Sequence, residues 1–181
     1  MKKQFVVLAV TLLMVFASIV PALTAEGAEG EGFLVLEGGN LTVTPASITF
    51  AAFILDGTDH DNVVGTTAAW NATDATGSGL GWHVTIAATV PTNAGSKTIA
   101  TAGFEMELLD TAITFTDGNT KPISYFNEAR ALGATQTLVS AAIGEGMGSY
   151  TLAPTFTLDV PAETYAGTYY TIVFVQNVSA P

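Results

Sequence analysis

The sequence predicts an all-β protein: a single antiparallel β-sandwich of roughly 8–10 short strands, with at most one short helix near residues 124–132. Three observations lead there. Short runs rich in Val, Ile, Thr, Phe and Tyr recur along the chain, and Gly, Asn, Asp and Pro separate them. Several runs alternate apolar and polar residues, the period of a strand with one dry face. Helical periodicity is confined to residues 123–143, around Phe126-Asn127-Glu128-Ala129-Arg130-Ala131-Leu132, and Gly133 would end such a helix.

The chain opens on a short basic start, Met1-Lys2-Lys3. An apolar run of about 16 residues follows from Phe5 to Val20, short of the ~20 that span a bilayer. Small residues up to Ala25 then suit a signal peptidase, so residues 1–25 are expected to be a cleaved secretory signal. Glu26-Gly27-Ala28-Glu29-Gly30-Glu31-Gly32 reads as a flexible acidic spacer. Phe33-Leu34-Val35-Leu36 comes next, either as the first strand of the domain or as a strand given to another molecule. Residues 37–181 form the expected sandwich domain. Candidate strands are 41–44, 47–55, 69–74, 82–90, 104–109, 112–116, 149–152, 155–160 and 168–178. In Trp82-His83-Val84-Thr85-Ile86 the apolar residues share one face, and Phe156-Thr157-Leu158-Asp159-Val160 repeats the pattern. The last strand, through Tyr169-Tyr170-Thr171-Ile172-Val173-Phe174-Val175, is apolar on both faces, which suits a central strand or an edge that pairs with another molecule.

Charge narrows the partners. Beyond residue 25 the chain holds three basic residues (Lys97, Lys121, Arg130) and all 16 acidic ones, a net charge of −13. Such a surface repels nucleic acid and anionic membranes. There is no cysteine, so no disulfide framework, thiol nucleophile, thiolate metal site or lipid attachment point.

Residues 70–86 read as strand, Gly-rich turn, strand. Asp74 is placed to cap the turn, Gly77, Gly79 and Gly81 to supply unusual backbone angles, and Trp82 to open the second strand. This segment, with Gly81-Trp82-His83-Val84, resembles the WxL domain of bacterial cell-surface proteins. Val160-Pro161 and Ala166-Gly167-Thr168-Tyr169, leading into the last strand, are similar to the end of that domain. Phe174-Val175-Gln176 stands where many members carry a second Trp-x-Leu. The resemblance spans roughly residues 40–178. It implies an exported protein that attaches non-covalently to the cell wall or to other surface proteins. The family-matched binding positions are Trp82, Val84, Tyr169 and Phe174. Plain core packing is the competing role for Trp82, since a buried ring cannot stack on a glycan.

Other candidates come from the residues themselves. Trp70 shares a chain face with Ala72 and Asp74; half exposed, it would stack on a sugar ring, and otherwise it packs in the core. Asp56, Asp59, Asp61 and Asn62 supply oxygen ligands within seven residues and suggest calcium, the only cofactor indicated, although the spacing is not that of an EF-hand. A solvated polar turn between strands is the competing reading, and the stronger one. His60 and His83 make no metal site by themselves. No catalytic residues are expected. Nucleophile elbow, Walker loop and dinucleotide fingerprint are missing, and Glu105 and Glu107 share a strand face as solvent-facing charges opposite Phe104, Met106 and Leu108.

Two functions follow. The first is a non-enzymatic binding module for wall polymer or surface proteins. The second is a structural subunit of an extracellular filament or surface layer, self-assembled by strand exchange with residues 26–36 as donor. No sortase-type motif follows the last strand, so attachment is expected to be non-covalent.

Overall fold

The computed structural model describes residues 34–179. The expected signal peptide and residues 26–33 of the spacer lie outside the described residues. In the chain from 36 onward, antiparallel strands are the main regular structure and hold about half of the described residues. In chain order they are β1 (Leu41–Thr44), β2 (Ile48–Phe50), β3 (His60–Thr67), β4 (Trp70–Asp74) and β5 (Trp82–Ala88). Next come β6 (Thr92–Asn93), β7 (Phe104–Glu107), β8 (Ile113–Gly118), β9 (Ile123–Ser124) and β10 (Arg130–Ala131). The last are β11 (Gln136–Ala141), β12 (Gly148–Leu152), β13 (Thr155–Val160), β14 (Tyr169–Tyr170) and β15 (Val173–Ser179).

Three sheets pack around one core. Their strand orders are β1-β4-β12-β8, β10-β7-β13-β3-β2 and β15-β5-β11-β9, and β14 and β6 form a separate ribbon. The expected all-β sandwich architecture is therefore present. Alternation explains how each sheet reaches the core. Trp70, Ala72, Tyr150 and Leu152 point inward from the first sheet, Phe104, Met106 and Phe156 from the second, and Trp82, Val84 and Ile86 from the third. Aromatic rings join the first two sheets: Trp70 and Phe156 lie 5.8 Å apart, Phe156 and Phe104 6.0 Å, and Phe104 meets Phe50 edge-on at 6.1 Å. Glu105 and Glu107 stand on the partly exposed side, opposite buried Phe104, Met106 and Leu108.

Several expectations need correction. No helix forms over 124–132; the segment holds the two-residue strands β9 and β10, and among the described residues helical geometry is limited to 3-10 turns at Thr101–Gly103 and Asp110–Ala112. Polar side chains capture the backbone there instead. Ser124 Oγ accepts from Phe126 N at 3.0 Å, and Asp110 Oδ1 accepts from Ser124 N at 2.8 Å, while Phe126 and Leu132 are buried as pins. The candidate strand 47–55 ends at Phe50, and residues 51–55 belong to no strand. The candidate strand 168–178 breaks at Thr171 and Ile172, because Thr89 takes over their hydrogen bonds: Thr89 Oγ1 accepts from Ile172 N at 2.9 Å and Thr171 Oγ1 donates to Thr89 O at 2.6 Å. Two strands absent from the expected set, β3 and β11, are central to the second and third sheets. The last strand, β15, is a sheet edge. Residues 34–40 form no strand.

Candidate functional site

The Gly-rich link from β4 to β5 folds as the residue types dictate. Asp74, buried at the end of β4, accepts from Thr76 N at 2.9 Å and from Thr76 Oγ1 at 2.7 Å. Gly77, Gly79 and Gly81 take φ of +64°, +64° and +79°. Gly81 is also sterically required, since a Cβ there would meet Ala141 O at 2.6 Å. The turn thereby delivers Trp82 into the interior. Its indole Nε1 donates to Gly146 O at 3.0 Å, and it is 3% exposed. Val84 is fully buried. Both family-matched residues of this segment are core residues.

The other two family-matched positions lie elsewhere. Tyr169, half-buried on β14, donates its hydroxyl to Tyr165 O at 2.8 Å. Phe174 points outward from β15, where it pairs with Ala87 rather than with the Trp82 end of β5. The four residues are not brought into one site. Trp70 is wholly buried, so the half-exposed ring that a stacking role requires is not present; its alternation partners Ala72 and Asp74 are buried with it.

Nor is the acidic stretch gathered around one point. Asp56 accepts from Thr58 N at 3.0 Å, from Thr58 Oγ1 at 2.7 Å and from His60 Nε2 at 3.1 Å, and these bonds, with Thr58 first, hold its carboxyl below the usual value. Asp59 turns away to accept from Ala162 N at 2.7 Å, and Asn62 N donates to Asp159 Oδ1 at 2.8 Å. Asp61 is exposed within β3. Among the described residues no three Asp, Glu or His side chains cluster as metal ligands do. The stretch works as turn caps leading into β3.

The feature that stands out is an apolar cleft of about 1070 Å³. One wall is residues 45–55, the other residues 164–173. Trp70, Phe104, Ile99, Leu158 and Val160 form the floor. Among the described residues no charged side chain lines it, in a chain with 16 acidic residues. Large apolar groups remain open to solvent along the rims: Ile54 is 90% exposed, Tyr170 72% and Ile172 60%. Unused hydrogen-bonding capacity lies beside them. Among the described residues β2 pairs only with β3, and its outer edge has no neighbour among them. Residues 51–55 form no backbone hydrogen bond among the described residues. At the floor, Trp70 Nε1 is buried without an acceptor among the described residues. Open apolar surface beside unpaired backbone suits an added β-strand. Sequence reasoning missed this site. Its signal was Ala51-Ala52-Phe53-Ile54-Leu55, apolar on both faces and hence poorly matched to a strand with one wet side.

Compared with protein-family models, with curated protein sequences and with solved structures, the chain matches none.

Proposed function

We propose that this is an exported, non-catalytic surface protein that works by strand addition, taking an extended apolar polypeptide segment into the cleft and so joining other proteins outside the cell. The observation that carries it is the uncharged cleft, with the outer edge of β2 and residues 51–55 beside it, both unpaired among the described residues. A strand docked there gains main-chain hydrogen bonds and buries alternate side chains, the two terms that drive β-augmentation. The signal-like N-terminus and the net charge of −13 beyond residue 25 support an extracellular site of action. The WxL-like segment 70–86 supports a cell-surface setting, with Trp82 and Val84 as the core that shapes the domain.

Exposed rings favour a second mode, stacking on wall glycan by Tyr165, Tyr170 and Phe174, which are 61%, 72% and 51% exposed. One experiment separates the two. The chain has no native cysteine, so Ile54→Cys carries an environment-sensitive dye at the cleft rim alone. Eight-residue peptides alternating Leu or Val with Thr should give a saturable signal, and purified cell walls none. If no strand peptide binds while walls sediment the protein, strand addition is wrong and the exposed aromatics are the site.

A further inference from the structure

We infer that the cleft's occupant is the Phe33-Leu34-Val35-Leu36 stretch of a second copy, so that copies join head to tail. This rests on the strand-addition function above and names its partner. The stretch is apolar on both faces, as a strand inserted between two walls must be. It is open for capture: Leu34, Val35 and Leu36 are 79%, 74% and 83% exposed and in no strand. Three consecutive large apolar side chains at that exposure are unusual unless something covers them.

Charge fits as well. The stretch is uncharged, as is the cleft lining, and Glu31 and Glu37 flank it. At the cleft mouth Lys97 Nζ sits 4.3 Å above the ring of Tyr165, a residue of the cleft wall. An acidic residue bordering the inserted strand would meet one of the three cations beyond residue 25.

Reach rules out insertion of Leu36 into its own cleft. Gly39 is pinned beside the far end of β4, its N donating to Ala75 O at 2.7 Å, and Asn40 O accepts from Ala75 N at 3.2 Å. From there β1 runs antiparallel to β4, with Thr44 opposite Asn71, before the cleft starts at Pro45. Five extended steps from Gly39 to Thr44 cover about 16 Å, whereas Leu36, three residues before Gly39, reaches at most ~11 Å from it. With Leu36 unable to enter its own cleft, the stretch inserts as a whole only into another molecule. The contact is heterologous, with strand on one surface and cleft on another, and such contacts extend into filaments when the rotation does not close.

The test uses the protein secreted by a host that processes its N-terminus. Size-exclusion chromatography with light scattering should show a ladder of multiples of the monomer. The double variant Leu34→Asp/Leu36→Asp lacks the strand and keeps the cleft; Ile54→Asp impairs the cleft and keeps the strand. Each alone should be monomeric, with every species above monomer lost. Mixed, they should form one-to-one dimers and nothing larger, which also shows that both are folded. A wild-type protein that stays monomeric on concentration, or a ladder that survives Leu34→Asp/Leu36→Asp, overturns the inference. A peptide of residues 30–37 distinguishes the two levels. If generic strand peptides bind the dye-labelled cleft and this one does not, strand addition stands and self-assembly falls. If neither binds, both fall.

Discussion

Trp82→Phe tests whether the tryptophan of the Gly81-Trp82-His83-Val84 segment acts through the core or through recognition. The indole N–H donates to Gly146 O at 3.0 Å, and Gly146 is itself buried. Phenylalanine keeps an aromatic ring but removes the donor, leaving a buried carbonyl without its partner, a loss of about 1–3 kcal/mol. The smaller ring buries less surface and leaves a void beside Ala141, adding roughly 1 kcal/mol. The sum, ~2–4 kcal/mol, is a large part of the 5–15 kcal/mol that separates folded from unfolded states of ordinary domains. In urea, with a slope of about 2 kcal/mol per molar for a chain of this size, the midpoint should fall by roughly 1–2 M with the slope unchanged. Occupancy of the cleft, on another part of the fold, should be untouched wherever the variant is folded. A midpoint shift worth less than ~0.5 kcal/mol, typical of a surface substitution, together with lost binding to walls or partners, would refute the core assignment.

Two other perturbations follow from single contacts. Tyr150 is buried and donates its hydroxyl to Met147 O (2.9 Å) or Thr120 O (3.1 Å); burial first, and the nearby Asp74 charge second, raise its pKa above the ordinary 10.0. Because the folded state holds that proton more tightly, its contribution is complete below pH 10.0 and is lost as pH rises through the folded value. Urea midpoints should therefore drop steeply in strong alkali for the wild type and less steeply for Tyr150→Phe, and parallel alkaline slopes would contradict this. Gly146 takes φ +72°, and an added Cβ would overlap the Ala141 side chain and stand 2.8 Å from Trp82 Nε1. Gly146→Ala should cost ~3 kcal/mol or more, against ~1 kcal/mol for Gly144→Ala, where φ is +80° but the space is open; equal thermal shifts for the two would show that backbone angle alone matters.

How much was legible depended on whether a segment's own residues settled its state. Thr155–Val160 and Leu41–Thr44 alternate cleanly, and both form as expected. The turn at Asp74 to Gly81 was readable because its requirements are local: a carboxylate two residues before the amide it caps, and glycines where φ is positive. β3 was not readable. It opens on His60-Asp61-Asn62, poor strand formers, and carries Gly65 where a large apolar residue would announce a core face. The large side chains come from the neighbouring strand: a Cβ on Gly65 would lie 2.9 Å from the Phe50 ring, and Ile48 also covers the site. β11 sat inside a stretch with helical spacing, and its pairing with β5, through a bulge between Thr137 and Val139, and with β9 on the other side makes it a strand.

The sequence by itself determined the all-β class, the faces of the alternating strands and the chemistry of the Gly-rich turn, because strand period and turn angles are properties of a few adjacent residues. Tertiary structure decided the rest. It buried Trp70, although its strand alone allowed an exposed ring, because Phe156 from β13 packs 5.8 Å away. It separated Asp56 from Asp59 by giving each carboxylate a different backbone amide. It also opened the cleft between two segments more than a hundred residues apart in the chain, and no local pattern records which edges of a sheet are left without a neighbour.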